Sequence, residues 1–218
     1  MINHHAIQLA LRTKLLTLEV CTTGSVQLSA TATGYARASG SFLTDGFVPG
    51  MEVTGTSFGE AANNTAKTIA SVTALTMTCS GCTVEAVGAR TLTVGLPASR
   101  AWENIAHEPT SNKPYVQEEY IPGPMEKTTL GPLGETETLP LYVPRVFVVA
   151  GNGSDAARKY ADALIEHFAP GTSFTVSGHT VVVRSVPAPF SGQLLQAGPG
   201  FAFVPVTVPL RVRTANSI

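Results

Sequence analysis

Long apolar runs, an excess of either charge and more than a handful of cysteines are all missing from this 218-residue chain. No stretch approaches the roughly 18 consecutive apolar residues that a membrane-spanning helix needs, so no partnership with a bilayer is expected. The opening residues Met1, Ile2, Asn3, His4 and His5 show no cationic segment followed by an apolar run, and a signal peptide is not expected either. Lysine and arginine number 14 against 15 acidic residues, a formal charge of −1. That balance argues against a surface built to neutralise many phosphates. A soluble protein made in a reducing cytoplasm is the simplest expectation, and the three cysteines, Cys21, Cys79 and Cys82, agree with it. Cys79 and Cys82 have the C-x-x-C spacing of a zinc or redox pair, but no second pair supplies the remaining zinc ligands. They read as ordinary thiols flanking a Ser80-Gly81 hairpin turn.

Catalytic signatures are equally scarce. No G-x-S-x-G elbow or H-E-x-x-H accompanies His4, His5, His107, His167 and His179. Gly151, Asn152, Gly153 and Ala156 formally fit G-x-G-x-x-A, yet Asp155 would put a negative charge where a pyrophosphate should sit. About 60 residues of chain remain, too few for a doubly wound sheet. Glu118 and Glu119 are neighbours on a strand, so they face opposite sides and cannot work as a carboxylate pair. An enzyme, a cofactor and a metal are therefore not expected.

What is present falls into two kinds of sequence. Ile2, Ala6, Ile7, Leu9, Ala10, Leu11, Leu15 and Leu16 recur at helical spacing behind Asn3, a candidate N-cap, with Arg12 and Lys14 on the wetter side. From about Val20 to Pro97 the chain is instead rich in Thr, Ser, Ala and Gly, with seven formally charged residues. Val26, Leu28 and Ala30 alternate with Gln27, Ser29 and Thr31, and short turns punctuate the rest, as in a small sandwich or barrel. Tyr35, Phe42, Phe47 and Phe58 are its aromatics, candidate core residues or, alternatively, a platform for stacking on sugars. After Pro97 come strand-like segments near 100–105, 115–121, 139–150, 180–186 and 203–213. A second amphipathic helix, Ser154 to Phe168, buries Ala157, Tyr160, Ala161, Leu164, Ile165 and Phe168. Pro205 and Pro209 predict an edge or a bulge for the last strand. The fold expected is α+β: two helices packed on a mostly antiparallel sheet, residues 1–19 plus 98–218, with an inserted all-β sandwich or barrel domain at 20–97.

The segment from Pro122 to Glu137 is long and rich in Pro and Gly. It reads either as an overgrown hairpin connection or as a loop that orders against a partner. In the second reading Met125, Leu130 and Leu133 are apolar anchors, surrounded by Glu126, Glu135 and Glu137, with Lys127 and Thr128 between them.

Arg100-Ala101-Trp102-Glu103-Asn104, Pro114-Tyr115-Val116, the run from Pro122 to Gly131 and the helix Ala156 to Phe168 with its Pro170-Gly171-Thr172 exit together resemble the tail terminator proteins of long-tailed, siphovirus-type bacteriophages. The resemblance covers residues 1–18 and 99–213, and the insert resembles Ig-like or barrel modules that phages graft onto structural proteins. It implies a homo-oligomeric ring of six subunits that caps the tail tube, ends its polymerisation and offers the head–tail joining surface. Its partners would be the tail tube protein and a head–tail connector protein, with DNA passing through the lumen unread. The place of work would be the neck of the virion tail. Another neck protein, such as a connector or tail-completion protein, is the alternative, and a carbohydrate-binding adhesive module a more distant one.

Overall fold

The computed structural model describes residues 2–103, 105–129, 134–151, 153–198 and 200–215. The chain opens with α1 (His4–Leu15), β1 (Glu19–Thr22), β2 (Val26–Thr31), β3 (Gly34–Arg37), β4 (Glu52–Thr56), a 3-10 turn at Ala61–Asn64, β5 (Lys67–Val72), β6 (Thr76–Cys79) and β7 (Glu85–Gly95). It continues with β8 (Ser99–Ala101), β9 (Tyr115–Ile121), β10 (Met125–Lys127), β11 (Glu135–Thr138), β12 (Leu141–Val149), α2 (Asp155–His167), β13 (Ser173–Val176) and β14 (His179–Val183). Last come β15 (Phe190–Ser191), β16 (Leu195–Ala197), β17 (Phe201–Phe203) and β18 (Val206–Ala215).

The α+β expectation does not hold. Strand accounts for 45% of the structure and helix for 14%, in a closed six-stranded barrel and a half-barrel sheet. Among the described residues the second sheet has eleven strands rather than about five. Those missed are two to four residues long, too short for an alternating pattern to show against background.

The first seven strands run in the order β1-β7-β2-β3-β6-β5-β4, and a β7–β4 pairing closes the ring, so this part is a barrel and not a sandwich. The long β7 makes closure possible by changing neighbours along its length. Its first half pairs with β2, from Glu85 to Arg90. Its second half pairs with β4 through Thr91–Val94 and with β1 through Thr93–Gly95. Leu28, Ala30, Tyr35, Phe42, Phe47, Met51, Val53, Phe58, Ile69, Met77, Leu92 and Val94 fill the interior. Tyr35, Phe42, Phe47 and Phe58 are thus core residues, and no stacking platform for sugars exists among them. Entry and exit lie side by side, with Glu19 opposite Gly95. The turn after β6 is not a hairpin, because β6 pairs with β3 and β5 and not with β7.

β18 is the spine of the second sheet. One side pairs with β12 and β11 and the other with β15 and β14. Pro209 therefore sits in a central strand and not at an edge, contrary to the proline-based expectation. It falls between the β15 pairs at Val206–Thr207 and the β14 pairs beginning at Leu210, so the missing N–H faces a gap between two partners.

α2 crosses β12, β17 and β18 and also touches β1 of the barrel. Ala156, Ala157, Tyr160, Ala161 and Leu164 are buried on that face, close to the expected stripe. The Tyr160 hydroxyl accepts the Glu52 N–H at 3.4 Å, tying α2 to the barrel. α1 is capped as the sequence suggested, the Asn3 side chain accepting the Ala6 N–H at 3.0 Å. It buries Ile7, Leu11 and Leu15 but leaves Leu9 and Leu16 exposed.

Candidate partner-binding hairpin

Strand register places the Pro/Gly-rich segment. Glu135↔Ala215 to Thr138↔Val212 and then Leu141↔Pro209 and Tyr142↔Val208 keep one register along β18, so β11 and β12 are a single bent strand. Facing it, β9 pairs with β12 from Tyr115↔Phe147 to Ile121↔Leu141, and β10 continues against β11 from Met125↔Thr138 to Lys127↔Thr136. The two registers differ by one residue, a bulge placed where Pro122 and Pro124 cannot donate to a ladder. Residues 115–129 and 134–149 are therefore the two arms of one long hairpin, and most of what read as a free loop is its outer part.

Close backbone approach holds the bend. The Thr138 hydroxyl donates to the Gly123 carbonyl at 2.9 Å. A Cβ on Gly123 would stand 2.3 Å from the Leu139 carbonyl oxygen, so only glycine fits there. Near the tip the Thr128 N–H and hydroxyl both donate to the Glu135 carbonyl, at 3.0 and 3.1 Å. Leu130 and Leu133 lie outside the described residues.

The arm brings the expected residues together but sorts them onto two faces. Strand alternation puts Met125 and Lys127 on one side and Glu126, Thr128, Glu135 and Glu137 on the other. The picture of an apolar anchor ringed by glutamates is replaced by an exposed Met125 backed by an acidic face. Glu137 accepts from Arg213 Nε at 2.8 Å, and that hydrogen bond, with the carboxylate's charge, pushes the Arg213 guanidinium further above its ordinary range. All of β10 is exposed, and Met125 keeps 54% of its surface. Among the described residues β8 covers only Tyr115–Gln117 of β9, and β10 has no strand beyond it. The backbone edge of β10, Met125 to Lys127, is thus open to pairing.

The base of the hairpin is held by a buried cluster that sequence reasoning missed. Glu118 is fully enclosed, accepting from Arg12 Nε at 2.6 Å, from the same residue's terminal amine, and from the Tyr142 hydroxyl at 2.7 Å. The Arg12 guanidinium lies 4.7 Å over the Trp102 ring, so Arg12 points inward and not to the wet side. Burial, and then the Glu118 charge, drive the Tyr142 phenol well above its ordinary range. Glu119 faces the opposite way and pairs with Arg145 at 2.5 Å, as the strand pattern required. On that same far face Tyr115 stacks on Phe147 with centroids 4.4 Å apart, and Phe147 meets Phe203 at 4.5 Å.

Among the described residues the histidines take structural places. His4 meets the Tyr120 hydroxyl at 2.9 Å, and His179 accepts the Asn3 N–H at 3.2 Å, both anchoring the start of α1. His167 Nε2 reaches the Lys14 carbonyl at 2.7 Å, joining the ends of the two helices. Burial lowers its imidazole pKa, so it acts there as a neutral donor rather than as a cation on a helix dipole. Gly151 and Gly153 adopt left-handed turns before α2, and Asn152 lies outside the described residues. Ser154 takes the N-cap position without a capping side-chain bond. No group of three or more His, Cys, Asp or Glu able to hold a metal occurs among the described residues. No helix among them is long and apolar enough to cross a membrane.

A family model described as phage tail terminator protein matches residues 84–210, from β7 through the hairpin and α2 into β18. No curated protein matches the chain. A solved structure without a functional name is similar at 22% identity, over 54% of this chain and 79% of that one, with a TM-score of 0.41.

Proposed function

Because the chain belongs to the phage tail terminator family, making it a structural component of the virion tail, we propose that it closes into a ring of six subunits on the end of the tail tube. The ring stops further tube polymerisation and presents the surface to which the filled head joins through a connector protein. The observation that carries the assignment to a surface is the hairpin of residues 115–129 and 134–149, with its open edge and exposed Met125. We assign the tube contact to the outer arm, through Met125, Glu126, Lys127, Thr128, Glu135 and Glu137, and to Leu130 and Leu133 of the sequence between them. Each contact is small, and six acting together give avidity that one lacks.

A ring uses head-to-tail contacts, in which one patch meets a different patch of the next subunit. The open β10 edge and the outward face of α1 around Leu9 are two unlike patches suited to this. DNA crosses the lumen without being read, in keeping with a formal charge of −1. The protein is made in the host cytoplasm and works in the neck of the virion.

Negative-stain images of the purified protein, alone and with tail tubes, test the reading. Rings at tube ends are expected, together with tails of uncontrolled length when the gene is lost. Virions with normal tails that lack the protein would overturn it. Density against the portal instead of the tube would move it to the connector or tail-completion role. Met125→Asp is expected to leave the fold intact and to prevent capping.

A further inference from the structure

The thiol pair of the barrel lies outside the hairpin to which the tube contact is assigned. Cys79 ends β6 and is held by its N–H donating to the Thr33 carbonyl at 2.9 Å and by pairing with Ile69 of β5. It is 4% exposed, whereas Cys82 is partly open to solvent. The two sulfurs are 3.4 Å apart, in van der Waals contact. Gly81 between them turns with φ +78° and has open space where a Cβ would stand. The third cysteine, Cys21, lies on β1, and burial, the largest influence on it, pushes its thiol up to about 12, so it stays protonated and unreactive.

We propose that Cys79 and Cys82 are a reversible redox pair, closing to a disulfide across the β6–β7 turn when a small-molecule disulfide such as oxidised glutathione is present. The Cys82 thiolate attacks one glutathione sulfur, its S–S bond breaks, and one glutathione thiolate leaves. Cys79 then loses its proton to solvent and attacks Cys82 Sγ in the mixed disulfide, expelling the second glutathione. Two thiols are oxidised and one glutathione disulfide is reduced to two glutathione molecules. The sulfurs must approach by about 1.3 Å to reach the ~2.05 Å bond, and the open turn at Gly81 leaves room for that. Cys82 is the point of entry because it is partly open to solvent whereas Cys79 is buried, and that burial also raises the Cys79 thiol. In a reducing cytoplasm the pair stays open. Outside the cell, where disulfides persist, it closes and pins the barrel after assembly.

The test is a thiol count and an intact mass on the folded protein after equilibration with excess oxidised glutathione. One reactive thiol on denaturation, a mass lower by two hydrogens and full reversal by dithiothreitol are expected. Cys79→Ser is expected to trap glutathione on Cys82, and Cys82→Ser to take up none. Three remaining thiols, or a stable glutathione adduct on the unaltered protein, would overturn the proposal. An adduct on Cys82→Ser would overturn the order of attack.

Discussion

Glu118 and Glu119 adjoin on β9, and the pleat sends them to opposite environments. Glu118 is enclosed between Arg12 and Tyr142, whereas Glu119 keeps 42% of its side-chain surface beside Arg145. Removing one member of a buried pair strands the other, so Glu118→Ala is expected to cost about 3 kcal/mol by denaturant unfolding. Glu119→Ala should cost about 0.5 kcal/mol or less, because its pair is solvated. That the two carboxylates face apart was legible from adjacency on a strand. Their partners were not, since Arg12 lies 106 residues from Glu118. The histidines add a pH dependence. Burial lowers His4 and His167 in the fold, so the unfolded chain binds more protons in the window below the ordinary value of 6.5. Their contribution to stability is therefore complete above that value and is lost as pH falls below it. Melting midpoints are expected to drop through that window. His167→Gln, which keeps a donor for the Lys14 carbonyl, should make the drop shallower, leaving the share due to His4.

Of the single elements, the hairpin shows how a bend and a ladder coexist. Prolines at 122 and 124 looked like loop signals, and they do interrupt pairing, but the ladder resumes after one bulge. Gly123→Ala should press its methyl into the Leu139 carbonyl at 2.3 Å, at a cost of about 2 kcal/mol. Hydrogen exchange is the sensitive check, and faster exchange is expected in β10 and β11 with little change in β14. α2 was legible almost residue by residue because a 13-residue helix displays its apolar stripe more than three times over. Strands of two to four residues offer no such repetition, and their existence depends on the distant partners they pair with, as β15 does with β18 and β17 with β12.

Taken whole, the molecule is a barrel set against a half-barrel, and we propose that residues 20–97 are an insertion into a host made of 1–19 and 98–218. The adjacency of Glu19 and Gly95 supports this, since a short linker could replace everything between them. One continuous hydrophobic cluster nevertheless contains residues from both parts, and Tyr160 touches the barrel backbone. Deletion is thus expected to leave a folded host with a lower melting midpoint, checked by circular dichroism and calorimetry. A host that fails to fold would mean the two parts need each other's core. The sequence by itself determined the two helices, the Thr-rich alternation of the barrel strands, the opposed glutamates and the resemblance to tail terminators, because all of these are carried by short-range periodicity or by contiguous words of sequence. Only the tertiary structure decided that the barrel closes, that β18 is a central spine despite Pro209, and that the supposed loop is a hairpin arm with Met125 and the glutamates on opposite faces. Closure, pairing and register are set by which distant strands share hydrogen bonds, and no local pattern records that choice.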